Sequence, residues 1–136
     1  MVGLSTVFLF IAVSVQGICV PERLSIGRLS GIVVFASSEQ PVAARATVEL
    51  RADKYESKLL ASTVADNKGR FDLGKQRSGN YQVEVIAEHG VTRFSFPVRY
   101  KFKKQSRDQL LIALGLDFQR GACHGSFATY GKQRTN

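Results

Sequence analysis

The stretch of sequence that decides the fold is Val64 to Val85, VADNKGRFDLGKQRSGNYQVEV. Near its start, the side chains of Asp66 and Asn67 can hydrogen-bond to the backbone of their own turn. Gly69 can take a positive φ there without the clash that a side chain would cause. A tight turn at 66–69 is therefore predicted.

Each of two turns in this stretch is followed by alternating apolar residues. After the first turn, Phe71 and Leu73 share one face of an extended chain, while Arg70 and Asp72 point to the other face. The second turn, 77–80, is followed by the same pattern. Its apolar residues are Tyr81, Val83 and Val85. Two short strands with one buried face each are predicted.

The same rhythm of Gly or Pro followed by alternating apolar residues occurs twice upstream. Together the four segments resemble the carboxypeptidase regulatory-like domain, with the signature G-x-V, P-(V/L)-x-x-A-x-V-x-L, (T/S)-(D/N)-x-x-G-x-F-x-(L/F) and G-x-Y-x-L-x-V. The matching residues are Gly31 and Val33, then Pro41, Val42, Ala46, Val48 and Leu50, then Asp66, Gly69, Phe71 and Leu73, then Gly79, Tyr81, Val83 and Val85. The sequence departs from the signature by one extra residue after Pro41 and by Ala65 in place of Thr or Ser.

The resemblance covers residues 29–87 and implies a fold and a class of function. The implied fold is a transthyretin-like β-sandwich, grouped with carbohydrate-binding-like folds. Such modules occur as accessory, adhesive or spacer domains. The zinc site of the carboxypeptidases lies in a separate catalytic domain that nothing here matches, so no peptidase activity is implied.

Turn signals divide the rest of the chain into short strands without helical periodicity. The strands predicted are 29–36, 44–52, 59–64, 70–73, 81–87, 92–103 and 109–116. Residues 109–116 also fit a helix, but Gly115 is unfavourable inside one. The prediction is an all-β fold, a seven-stranded antiparallel Greek-key β-sandwich in residues 29–120, with a lead at 18–28 and an irregular C-terminal tail at 121–136.

An uncharged apolar block, Leu4 to Val15, opens the chain. It is too short for a membrane span of roughly 20 residues, and Val15 and Gly17 suit the positions that a signal peptidase reads. A signal peptide at 1–17 is predicted, and with it a secreted or periplasmic protein. Because Lys and Arg are missing before the block, an internal start site or a retained anchor stays open.

The two cysteines, Cys19 and Cys123, form an even pair in an oxidising compartment and would close a long loop. A disulfide between them is predicted, with two unpaired thiols, or removal of Cys19 with a longer signal, as the alternatives. Their spacing, with only two histidines in the chain, does not fit a zinc site. No metal and no cofactor are expected.

The formal charge of +8 comes from the second half of the chain, where residues 68–136 hold thirteen Lys and Arg against five Asp and Glu. Within 93–103 the aromatic residues share one parity and the basic residues the other, which predicts an apolar face and a basic face. Pro97 cannot donate to a ladder and indicates an edge or a bulge. The basic cluster predicted to bind an anionic partner is Arg99, Lys101, Lys103, Lys104 and Arg107.

Some of these residues also fit other interpretations. A solvated face that keeps the protein soluble and guards a sheet edge is the simpler interpretation of the basic cluster. Nucleic acid is not expected, because the parity turns the aromatic rings inward rather than into a stacking platform. Asp66, Asn67 and Asp72 do not follow a calcium-loop spacing.

Catalytic signals are few. His89 and His124 are the only histidines, and no nucleophile elbow, zinc-protease motif or phosphate loop occurs. The prediction is an exported, non-catalytic accessory or binding module for carbohydrate or an anionic envelope component. Two alternatives stay open: a structural protein that pairs with an envelope protein through edge strands, and a transthyretin-type small-molecule binder or hydrolase. The Tyr-Arg-Gly-Ser signature of the hydrolases is missing from the C-terminal part, which reads Ala128-Thr129-Tyr130-Gly131.

Overall fold

The computed structural model describes residues 21–36, 42–53, 58–88, 92–115 and 125–132. These residues form ten strands and no helix. The strands are β1 (Leu24–Ile26), β2 (Ser30–Ala36), β3 (Val42–Ala43), β4 (Ala46–Ala52), β5 (Leu59–Val64), β6 (Arg70–Asp72), β7 (Gly79–Ala87), β8 (Arg93–Tyr100), β9 (Asp108–Gly115) and β10 (Phe127–Lys132). A membrane-spanning helix is accordingly not found in the described part of the chain. The signal segment, Cys19, Cys123 and both histidines lie outside the described residues.

Two sheets face each other across one core. The first sheet has the order β1-β8-β7-β4-β5, and the second has the order β10-β9-β2-β3, with β6 also paired to β2. Alternate residues of the long strands point into the core, as the sequence pattern predicts. Among the fully buried side chains are Val48, Val83, Phe96, Tyr100, Leu110 and Ile112. The prediction of an all-β sandwich is confirmed.

The sheets are mixed rather than antiparallel, and the strand count of seven is too low. β1 pairs in parallel with β8, and β2 pairs in parallel with β9. Both parallel pairs join strands far apart in the chain, and alternation within a strand carries no information about the direction of a distant partner. The seven predicted strands correspond to β2 and β4–β9. The three strands that were not predicted, β1, β3 and β10, are short or lie in segments taken as irregular.

The predicted boundaries of the sandwich are too narrow. β1 lies within 18–28, which the sequence predicts as a lead. β10 lies within 121–136, which the sequence predicts as an irregular tail. β10 pairs with β9 over six residues, from Phe127 opposite Ala113 to Lys132 opposite Asp108. Alternation in β10 is weak because Ala128 and Tyr130, on its inner face, are only partly buried.

β8 ends earlier than the sequence predicts. The strand runs to Tyr100, so Phe102 does not enter the core and is 38% exposed. The ring of Phe102 instead lies under Lys75, whose Nζ is 4.4 Å from the ring centroid. Pro97 fits the outer edge of β8, because β1 covers only the stretch from Val98 to Tyr100. β8 is an inner strand of the sheet, but its outer side is not covered by β1 at Pro97.

Gly31 allows the close parallel approach of β2 to β9. A Cβ atom on Gly31 would overlap the carbonyl oxygen and the Cβ atom of Leu110. Both of these belong to the paired strand, so the strands would have to separate to admit a side chain. Gly131 in β10 has no atom within 4 Å of the same hypothetical position.

We expect Gly31→Ala to lower the free energy of unfolding by about 1–3 kcal/mol, the usual cost of overpacking a well-packed site. Gly131→Ala is the matched control and should change it by less than about 0.5 kcal/mol. Urea denaturation followed by far-UV circular dichroism measures both. Equal stability of the two variants would show that the β2–β9 contact tolerates expansion.

Candidate functional site

Two chain segments cross from the first sheet to the second at the same end of the sandwich. Residues 27–29 connect β1 to β2, and residues 101–107 connect β8 to β9. The N–H of Lys101 donates to the carbonyl of Ile26 over 3.0 Å, and the N–H of Lys103 donates to that of Gly27 over 3.1 Å. These bonds continue the parallel β1–β8 pairing beyond both strands. The basic segment is therefore held against the chain that leads into β2.

A groove with a volume of about 470 Å³ lies along these two segments, and we call it the basic groove. Three of the five residues predicted as a basic cluster line it, namely Arg99, Lys101 and Lys103. Its polar residues are Ser25, Gln105, Ser106, Asp108 and Tyr130, and Ile26 and Gly27 complete the lining. The lining thus carries three cationic side chains against one carboxylate.

The stem of Lys103 packs against the backbone of Gly27. A Cβ atom on Gly27 would lie 3.1 Å from the Cβ and 3.2 Å from the Cγ of Lys103. The missing side chain at position 27 therefore makes room for the aliphatic part of the lysine. A stem packed in this way loses less conformational freedom when its ammonium group binds a ligand.

Hydrogen bonds connect the residues that line the groove on the side of the second sheet. The N–H of Gly27 donates to the Tyr130 hydroxyl over 3.0 Å, and this hydroxyl lies 3.2 Å from the Ser106 Oγ. The N–H of Asp108 donates to the same Ser106 Oγ over 3.3 Å. One hydroxyl donates to the other, so the second hydroxyl keeps its hydrogen available for an acceptor in the groove. Besides its charges, the groove therefore offers a neutral donor.

A second basic cleft lies next to the groove. It also has a volume of about 470 Å³, and its charged lining residues are Arg28, Arg70 and Arg107 against Asp72 and Asp108; Ser106 and Asp108 line both sites. The guanidinium of Arg28 donates to the carbonyl of Ser106 over 3.3 Å. Arg107, predicted as part of the same cluster as Lys101, therefore faces this neighbouring cleft. Lys104 lies in the turn between them and does not line the basic groove.

Tyr130, Ser106 and Arg28 were not predicted as site residues. Tyr130 lies in the segment that the sequence indicates as irregular, and only its pairing on β10 brings it to the groove. Ser106 and Arg28 lie in connections, where no alternation indicates which way a side chain points. The one available signal was the density of Lys and Arg in residues 99–107, which located the loop but not its neighbours.

The carboxylate of Asp66 holds the turn at 66–69 together and is not open for a calcium ion. Its Oδ1 accepts from the N–H groups of Lys68 and Arg70, each over 2.9 Å, and its Oδ2 accepts from the Arg70 Nε over 3.1 Å. These hydrogen bonds, the one from the Arg70 backbone first, lower the pKa of Asp66. In the described residues no group of three or more His, Cys, Asp or Glu could hold a metal ion.

Comparisons with known proteins do not place this chain in a family. No family model and no curated protein matches the chain. A similar solved structure is sea bream transthyretin in complex with thyroxine, at 15% identity and a TM-score of 0.46, covering 80% of this chain and 98% of that chain. A similarity of this degree carries no argument about fold, ligand or activity. The carboxypeptidase regulatory-like family remains a resemblance in the sequence motifs.

We expect Asp66 to make folding sensitive to acid. A carboxylate whose pKa is lowered by folding stabilises the protein above its unfolded pKa of 3.8, and the gain is lost as the pH falls through the lower folded value. In Asp66→Asn the amide oxygen still accepts a backbone N–H but carries no charge. Wild type should therefore exceed Asp66→Asn in stability at pH 6, and the difference should shrink below pH 3.8. Urea denaturation at a series of pH values measures this, and a constant difference would contradict it.

Proposed function

We propose that this protein is an exported, non-catalytic binding module that holds an anionic ligand in the basic groove. The ligand class is an acidic carbohydrate or another polyanion of the cell envelope. The observation that carries the proposal is that Arg99, Lys101 and Lys103 line one groove, with Asp108 as the only acid among the described residues of its lining. A solvated basic face has no need of a groove formed by two sheets.

The groups in the groove match the needs of sulfate, phosphate or carboxylate groups on a sugar. Arginine can donate two hydrogen bonds to such a group, and lysine supplies a point charge. The hydroxyl of Ser106 or Tyr130 that keeps its hydrogen can donate to a sugar or acid oxygen. The second cleft adds Arg28, Arg70 and Arg107 at the end of the groove, where a long ligand would continue.

The strength of single contacts favours a ligand with several charges. An exposed ion pair is worth about 1 kcal/mol or less, and salt screens charges over about 8 Å at physiological ionic strength. A single carboxylate would therefore bind weakly in this groove. A polymer that engages three or more cations can bind usefully, and its binding must weaken as salt is added.

The described residues of the groove support a binding role rather than a catalytic one. Ser106 and Tyr130 bond to each other and to backbone N–H groups, and no imidazole lines the groove as described. A nucleophilic serine needs a base within hydrogen-bond reach. The non-catalytic part of the proposal rests on this arrangement of donors and acceptors.

The test compares two double charge reversals with the same net charge. Lys101→Glu/Lys103→Glu removes two groove cations, whereas Arg45→Glu/Lys68→Glu changes two exposed cations outside the groove lining. Each lowers the formal charge from +8 to +4. We expect the groove variant to bind heparin about tenfold or more weakly than the control, since two contacts of about 1 kcal/mol each are lost and become repulsive.

Heparin chromatography with a salt gradient, followed by calorimetry, gives the measurement. Earlier elution of the groove variant than of the control supports the proposal. Equal shifts in both variants would assign retention to net charge, and retention that is indifferent to salt would contradict an electrostatic site.

A further inference from the structure

The edge strand β5 is apolar and open to solvent. It is the last strand of the first sheet among the described residues, and its sequence, LLASTV, has no charged residue and no proline. Leu59, Leu60 and Val64 are 47%, 43% and 59% exposed. Natural sheet edges are usually protected by a charge, a proline or a covering segment against pairing with another chain. An edge without charge or proline points to a partner strand.

The backbone of β5 alternates between its neighbour β4 and the open edge. Just beyond β5, the N–H of Ala65 donates to the carbonyl of Ala46 in β4. N–H groups in a strand alternate in direction, so those of Thr63 and Ala61 also point toward β4. The N–H and C=O groups of Ser62 and Val64 therefore point away from β4. They form the row of hydrogen-bonding groups at the open edge.

We propose that β5 pairs antiparallel with β5 of a second copy of this chain, about a two-fold axis at Ser62. In this register the N–H and C=O of Ser62 bond to those of Ser62 in the other copy. Leu60 lies opposite Val64 of the other copy, and the same pair recurs by symmetry. The first sheets of the two copies then form one continuous sheet of ten strands.

Two features of the sequence select this arrangement over others. First, in this register the exposed apolar residues lie opposite each other, whereas a shift of the pairing by two residues places Leu60 opposite Ser62 or Asp66. Second, Lys58 stands before the strand, and Asp66, whose carboxylate also pairs with Arg70 over 3.1 Å, stands after it. An antiparallel partner brings the lysine end of one copy near the aspartate end of the other. A parallel partner would place like charges side by side.

The irregularity at the start of β5 leaves enough strand for this pairing. Leu50 pairs with Ala61 and Arg51 pairs with Leu59, so Leu60 is the extra residue of a bulge. The bulge leaves the stretch from Ala61 to Val64 regular, so the Ser62 pair forms on regular backbone, and Leu60 meets Val64 at the margin of this stretch as a side-chain contact. Because the pattern of the strand is complementary to itself, a second copy fits it better than an unrelated strand, and the two-fold closes without further growth.

The first experiment blocks the edge without disturbing β4. Ser62→Pro removes an N–H that points away from β4 and puts the proline ring in its place. Ser62→Ala keeps the N–H and is the matched control. We expect wild type and Ser62→Ala to be dimers in sedimentation velocity and Ser62→Pro to be a monomer with unchanged far-UV circular dichroism.

Val64→Lys is a second variant, in case the proline also harms folding. Its side chain is 59% exposed in the monomer, so the fold should be kept, while a lysine at this position would face Leu60 of the other copy. We expect a monomer. Even a weak dimer with a Kd of about 1 mM forms at that protein concentration. The proposal would be overturned if the wild-type protein stayed monomeric up to about 1 mM. A dimer that persists in Val64→Lys would also overturn it.

The second experiment tests the register. In the proposed pair the two Ser62 Cα atoms lie about 5.5 Å apart, which suits a disulfide. The two Thr63 Cα atoms are displaced along the strands by two residues and lie beyond the limit of about 7 Å. Mild oxidation should therefore cross-link Ser62→Cys into dimers and leave Thr63→Cys at the wild-type level. Equal cross-linking of the two would refute the register. None of these variants changes the basic groove, so the result is independent of heparin binding.

Discussion

The parallel pairing of β2 with β9 is the interaction on which the rest of the structure depends. β2 also pairs with β3 and β6, so every strand of the second sheet reaches it directly or through β9. Its approach to β9 requires a glycine at Gly31, since any Cβ there would overlap Leu110. Because β2 and β9 lie side by side and run in the same direction, the segments that lead into them from the first sheet must cross at the same end.

That shared end explains how a groove forms without an elaborate loop. The segment that leads into β2 is short, and the segment that leads into β9 is longer and basic. Backbone bonds from Lys101 and Lys103 fasten these two segments together, and Tyr130 closes the wall because β10 pairs with the start of β9. Lys101 and Lys103 thus lie on a segment that backbone hydrogen bonds hold in place. A site formed in this way is preorganised, so less ordering is needed when a ligand binds.

The sequence predicts those features that are set locally. Alternation with period two located seven of the ten strands among the described residues, and β5 was predicted with its observed bounds. It could not indicate that β1 and β8 run parallel, because that depends on Leu24 meeting Val98, seventy-four residues away. The alternating pattern also extends to Phe102, beyond Tyr100, where β8 ends and the chain leaves the first sheet. The sequence likewise locates the basic cluster but not its neighbours Tyr130 and Ser106, because their position beside the cluster depends on contacts between distant segments.

The two proposals bear on each other through the order of the strands. The groove lies at the β1–β8 side of the first sheet, and β5 is the opposite edge. In a dimer formed through β5, the two β8 strands are separated by seven strand spacings of about 4.8 Å, on the order of 30 Å. The antiparallel two-fold also places the two grooves at opposite ends of the combined sheet, so only a long anionic chain could reach both, whereas one short oligosaccharide could not. The second contact is then intramolecular and raises the overall affinity without any new interaction. Weak single grooves of this kind would therefore select ligands by length as well as by charge.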